Sequence, residues 1–110
     1  MKSTTKPLAG TTFYVLLALA DRQRYGLDIV REIAKRTRGE VQLGPGTLYN
    51  AIKKMLGEGL IAEAQSEAGP NDDPRRKYYR ITPEGRRRLA DETARLESLV
   101  SAARAKGATA

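Results

Sequence analysis

Gly44-Pro45-Gly46-Thr47-Leu48-Tyr49-Asn50-Ala51-Ile52-Lys53-Lys54-Met55-Leu56-Gly57-Glu58-Gly59-Leu60 carries a helix together with its start and stop signals. Pro45 suits a first helical position, where its fixed φ fits and its missing N–H costs nothing. Leu48, Ile52, Met55 and Leu56 recur at helical spacing and form one apolar stripe. Thr47, Tyr49, Asn50, Lys53 and Lys54 fall on the other side. Gly57 and Gly59 end the pattern. One face can anchor in a core while the other shows short polar and basic groups.

Downstream, Leu60 to Glu67 reads as a strand. Gly69-Pro70-Asn71-Asp72-Asp73-Pro74 is dense in turn formers, and Lys77 to Ile81 returns with Tyr79 and Ile81 on one face and Tyr78 and Arg80 on the other. Thr82-Pro83-Glu84 then supplies an N-cap, an N1 proline and a first-turn acid. The last helix is expected from Pro83 to about Lys106. Upstream, Thr11 or Thr12 can cap a helix with Phe13, Leu16, Leu17 and Ala20 at helical spacing. It is apolar around most of its circumference, so more than one neighbour must cover it. A second helix is expected over Leu27 to Thr37, with Leu27, Val30, Ile33 and Ala34 on its stripe and Gly39 as its stop. Val41-Gln42-Leu43 is long enough only for a short strand.

Three helices, a hairpin and a long helix give a mainly α chain with a small β-hairpin. This is the order of a winged helix-turn-helix domain, expected over 9–82. A C-terminal dimerisation helix is expected over 83–106, and 1–8 and 107–110 read as flexible termini.

Composition narrows the function. The 110 residues include 20 Lys or Arg against 13 Asp or Glu, a net charge of +7, with no Cys, His or Trp. No disulfide scaffold, zinc finger, Cys nucleophile or His-based triad can be built from them. An enzyme would have to use carboxylate pairs such as Asp72 with Asp73 or Asp91 with Glu92, and no phosphate loop accompanies either. The reading is therefore non-enzymatic, with no cofactor and no metal. The N-terminal apolar stretch is too short to span a bilayer and no cleavage signal follows it, so a cytoplasmic protein without a membrane partner is expected.

The positive excess asks for an anionic partner, and double-stranded DNA suits this pattern best. In a helix-turn-helix, one helix enters the major groove. On the helix from Pro45, Asn50 can pair with adenine and Thr47 can meet a thymine methyl or a phosphate. Tyr49 offers a hydroxyl and a flat ring, and Lys53 and Lys54 lie one turn on. On the hairpin, Arg76 and Lys77 can reach a flanking groove or backbone. Arg75 can equally pair with the neighbouring acids, which would repel phosphate. Arg86-Arg87-Arg88 reads as backbone contact or as a solvated face. The competing reading is a winged-helix protein-interaction module that uses Tyr49 and the basic face without specific DNA binding.

Tyr25-Gly26-Leu27-Asp28-Ile29, Leu43-Gly44-Pro45-Gly46-Thr47-Leu48-Tyr49, Glu58-Gly59-Leu60-Ile61 and Arg76-Lys77-Tyr78-Tyr79-Arg80-Ile81-Thr82-Pro83-Glu84-Gly85 occur in this order. Together they resemble the successive signatures of PadR-like transcriptional regulators, over roughly Phe13 to Leu89. The resemblance implies a dimeric winged-helix repressor. It places Thr47, Tyr49 and Lys53 in or beside DNA and makes Tyr78, Tyr79 and Ile81 wing-strand structure. Asn50 departs from the pattern, standing where the family often has Pro, and this bears on operator preference.

The chain also resembles short-tailed members that dimerise through the last helix. Leu89, Thr93, Leu96, Val100 and Ala103 recur at spacings of four and three, with Leu99 beside them, as a seam for another helix. With Phe13, Leu16 and Leu17 of the partner's first helix, they form the expected homodimer interface, the alternative being that the stripe folds back on its own domain. The resemblance further implies a small hydrophobic or phenolic effector at that interface. Without Trp, an aromatic sandwich there would need Phe13, Tyr14 or aliphatic side chains.

Overall fold

The computed structural model describes residues 7–108. The parts of the expected flexible termini at 1–6 and 109–110 lie outside the described residues. Helix α1 spans Gly10–Leu19, strand β1 Arg24–Tyr25, α2 Gly26–Arg36, α3 Pro45–Gly57, β2 Ile61–Ala64, β3 Tyr78–Ile81 and α4 Pro83–Ala105. The sheet order is β1-β3-β2, antiparallel throughout. The fold is thus mainly helical with a small sheet, as the order of signals implies. The wing, however, is three-stranded rather than a bare hairpin.

Helix α1 is the hub. Its Val15, Leu16, Ala18 and Leu19 are buried against Ile29 and Ile33 of α2, Leu48, Ile52 and Met55 of α3, and Leu60, Ile61, Tyr79 and Ile81 of the wing. Being covered from several sides explains its apolar circumference. In the sheet Ile61 pairs with Ile81 and Glu63 with Tyr79. Side chains alternate across a strand, so Ile61, Tyr79 and Ile81 share the face that closes the core.

Helix ends carry much of the geometry. Gly59, at φ +75°, leaves α3 by a Schellman turn: Leu60 N–H donates to Met55 O at 3.0 Å and Gly59 N–H to Leu56 O at 3.2 Å. That turn aims the chain straight into β2. Thr82 caps α4 by accepting from Gly85 N–H at 3.0 Å, and its hydroxyl donates to Gly59 O at 2.6 Å. The end of α3 and the start of α4 are therefore bonded to each other.

Several expectations change. Helix α1 begins at Gly10 after Ala9, without a side-chain cap, and Thr12 is buried inside it. Val41–Leu43 forms no strand, because no neighbouring strand offers it a ladder. The third strand is Arg24–Tyr25 instead, paired with Tyr78 and Tyr79. On α2 the fully buried residues are Ile29 and Ile33, and Leu27 stands exposed. Gly39, at φ +81°, ends α2 as expected, its N–H donating to Ala34 O at 2.7 Å, but Arg38 before it is left-handed too, at φ 54°. At the termini, Leu8 packs on the core and donates its N–H to Glu92 Oε1 at 3.3 Å. Gly107, at φ +88°, closes α4 with bonds to Arg104 O and, through Ala108, to Ala103 O.

The molecule measures 54 × 34 × 23 Å. Its length comes from α4, whose residues from Glu97 onward are all exposed.

Candidate nucleic-acid interface

The stripe Leu48, Ile52 and Met55 fixes how α3 sits, since all three are buried. The opposite face is then turned outward. Thr47, Tyr49, Asn50, Lys53 and Lys54 are each exposed, with Tyr49 at 66%. Tyr49 is the most exposed of the large hydrophobic side chains among the described residues, which places a flat ring at the surface of a basic helix. The first turn of α3 has no side-chain cap, so its N–H groups point outward as donors of the kind that suit phosphate.

The wing is organised around its acids. Asp72 accepts from Ser66 Oγ, from Tyr78 OH at 2.6 Å, from Asp73 N–H at 2.7 Å and from Arg76 Nη1 at 3.1 Å. The hydroxyls of Ser66 and Tyr78, with the Asp73 N–H and the Arg76 charge, hold its carboxyl down to about 2 despite the opposing effect of desolvation. Asp73 accepts from Arg75, at 3.1 Å from Nε and 3.0 Å from Nη2. Arg75 and Arg76 are thus both paired within the wing. Arg76 also lies with Cζ 4.4 Å from the Tyr25 ring centroid, a cation–π contact, and the Tyr25 ring meets Tyr78 edge-on at 5.4 Å. Lys77 is exposed.

Between α3, the start of α2 and the wing runs a groove of about 880 Å³, with Leu27, Leu43 and Leu48 among its lining. Tyr49, Arg76 and Lys77 border this groove. Thr47, Asn50, Lys53 and Lys54 lie outside it, on the outer face of α3.

A second groove, of about 540 Å³, runs between α1 and the distal half of α4 and is lined by Phe13, Leu96, Val100 and Arg104. It gathers three of the residues expected at an interface. Leu99 and Val100 are 54% and 48% exposed. Leu17 is exposed on the side of α1 that faces α2, and Leu89 packs on the chain's own core. Leu16 is different: at 0% exposure it has no surface to offer a partner.

The Arg86-Arg87-Arg88 run binds its own chain. Arg86 donates to Ala20 O at the end of α1 at 3.1 Å, and Arg87 pairs with Glu84 and Asp91. Arg88 is half-buried and lies within electrostatic reach of Glu92. Sequence reading also missed Tyr25, Ser66 and the Tyr78 hydroxyl as organisers of this surface. Among the described residues no group of three or more Asp, Glu, His or Cys could hold a metal ion. Nor is any described helix long and apolar enough to cross a membrane.

Known proteins share this fold. The model of the Transcriptional regulator PadR-like family matches residues 15–91. A Mycobacterium tuberculosis protein named Transcriptional regulator Rv3488 is 30% identical over 91 residues, 83% of this chain and 79% of its own length. A PadR family transcription regulator from Clostridium difficile superposes with a TM-score of 0.74 at 27% identity, over 87% of this chain and 96% of its own. A transcriptional regulator from Clostridium thermocellum gives 0.73 at 26%, over 90% of each chain.

Proposed function

The chain belongs to the PadR-like family of transcriptional regulators, and on that premise we propose that it is a homodimeric DNA-binding repressor of the cytoplasm. One observation carries this reading: the buried stripe of α3 turns Thr47, Tyr49, Asn50, Lys53 and Lys54 outward as one face, with Arg76 and Lys77 across an adjoining groove. Residues 9–82 form the winged helix-turn-helix that reads the duplex, and α4, within 83–106, forms the dimer with the α1 of a second copy. Phe13, Leu96, Leu99 and Val100 supply its apolar contact. A two-fold dimer requires a near-palindromic operator with half-sites about 34–36 Å apart. A small hydrophobic or phenolic effector at the α1–α4 groove would release the operator by changing the separation of the two α3 helices.

The test is binding of the duplex immediately upstream of the chain's own gene, against a random duplex of equal length, over a range of salt. Preference for the upstream duplex is expected, with affinity falling by a log–log slope of about 0.9 per neutralised phosphate. A variant carrying both Lys53→Ala and Lys54→Ala should lose affinity and about two units of slope. Equal binding of both duplexes at every salt, or an unaffected double variant, overturns the reading and leaves a protein-interaction module.

A further inference from the structure

A hairpin offered to phosphate gains nothing electrostatically from acids at its tip, yet Asp72 and Asp73 stand directly before Arg75, Arg76 and Lys77. The two acids are not equivalent. The Asp72 side chain is 6% exposed and that of Asp73 33%. Asp73 binds Arg75 beside it. Asp72 closes a ring of contacts across the wing: it accepts from Tyr78 OH and from Arg76, Arg76 covers the face of Tyr25, and Tyr25 meets Tyr78. A guanidinium has five donors in a fixed fork. Arg76 gives Nη1 to Asp72 and remains 44% exposed at the rim of the groove beside α3.

We propose that Asp72 is a positioning residue for DNA binding: it holds Arg76 against Tyr25 at the groove rim, so that the outward donors of Arg76 meet the phosphodiester backbone of a duplex seated on α3. The proposal rests on the DNA-binding function above. Its sign is opposite to that of simple charge repulsion. Asp72 lies within a Debye length of such a backbone, about 10 Å at 0.1 M salt, so if it acted only as a charge its removal would tighten binding. If it positions Arg76, its removal weakens binding.

The experiment measures affinity for the upstream duplex at several salt concentrations for Asp72→Asn, Asp73→Asn, Arg76→Ala and the Asp72→Asn/Arg76→Ala pair. Asp72→Asn and Arg76→Ala are each expected to weaken binding on the order of tenfold, the worth of one charge-assisted hydrogen bond, and to lower the salt slope by about 0.9. The pair should be no weaker than Arg76→Ala, and Asp73→Asn should bind at least as tightly as the parent. Ser66→Ala and Tyr78→Phe, which each remove one bond to the carboxylate and keep its charge, should weaken binding in the same direction. They keep the test open should Asp72→Asn fold poorly. In the free protein, NMR should show the Tyr25 ring-current shift on the Arg76 side chain lost in Asp72→Asn. Unchanged or tighter binding by Asp72→Asn, additivity with Arg76→Ala, or a persisting ring-current shift overturns the proposal. If the parent binds the duplex through Lys53 and Lys54 while Asp72→Asn is silent, the positioning role fails and the DNA reading stands. A parent that binds no duplex overturns both.

Discussion

Gly85 lies so close to the Leu60 carbonyl that a methyl group on its α-carbon would sit 2.1 Å from that oxygen, and 2.9 Å from Ile81 Cγ1. The same carbonyl accepts from Thr82 N–H at 3.1 Å, and Thr82 bonds Gly59 O. The two turns that orient α3 against the wing and α4 are therefore locked together at a point with no room for a side chain.

Gly85→Ala should cost about 3 kcal/mol or more, since the obstacle is backbone and cannot rotate away. Gly57, also helical, has nothing within 4 Å of an added Cβ, and Gly57→Ala should instead stabilise by about 0.5–1 kcal/mol through helix propensity. Urea unfolding of both variants separates the effects. A well-folded Gly85→Ala protein with an unchanged midpoint would contradict the close approach.

Arg24 should be the costliest polar residue to remove. Its side chain is 5% exposed, and it donates to Ala18 O at 2.6 Å and Asp28 Oδ1 at 3.0 Å, with Asp21 at 3.3 Å and Glu32 at 3.6 Å. Arg24→Met keeps the volume but strips a shared cation from three carboxylates, at about 3 kcal/mol. Lysine should not rescue it, because one ammonium cannot reproduce the fork that meets α1 and α2 at once. Thermal unfolding of the two variants provides the check.

Local chemistry made α3, β3 and the start of α4 readable. A proline at N1, a glycine at a left-handed exit, a Thr-Pro cap and the Tyr79/Ile81 alternation each act within a few residues. What escaped reading depends on distant partners. A two-residue strand at Arg24–Tyr25 is too short for any period, and it exists because β3 offers a free edge. Leu16 had to be apolar whether it served the core or an interface, so only the packing separates the two. The wing acids read as a repulsive tip, because nothing in the sequence shows that Ser66, Tyr78 and Arg76 converge on Asp72. Arg86 reads in the sequence as backbone contact or solvated face, because only the packing of α4 brings it to the Ala20 carbonyl at the end of α1.

Leu16 and Leu99 should now separate cleanly by experiment. Leu16 is buried within its own chain and Leu99 is 54% exposed on distal α4. Leu16→Ala should cost about 2–5 kcal/mol of stability by emptying a packed site. Leu99→Asp, together with Val100→Asp, should leave the protomer folded and dissociate the proposed dimer, because each would bury an unpaired charge at that interface. Sedimentation velocity reads the second effect and circular dichroism the first. An unaltered sedimentation coefficient in the double aspartate variant would move the interface elsewhere.

The wing should be sensitive to acid in a defined window. Asp72 is held at about 2 against an ordinary 3.8, first by the Ser66 hydroxyl and then by Tyr78. Because the folded protein depresses this group, its contribution is complete above the unfolded value and is lost as pH falls from about 4 toward 2. Tyr78 moves the other way, raised above 10 mainly by the Asp72 carboxylate that its hydroxyl serves. Its contribution is present below the ordinary tyrosine range and is lost as pH rises through its folded value. Asp72→Asn should flatten the acid loss and bring the Tyr78 titration down together. Melting temperatures between pH 2 and 6 follow the first, and phenolate absorbance, compared with the Tyr78→Phe variant, follows the second. Tyr79 is raised chiefly by burial, so its titration should stay where it is, which makes it the internal reference for a change confined to the wing.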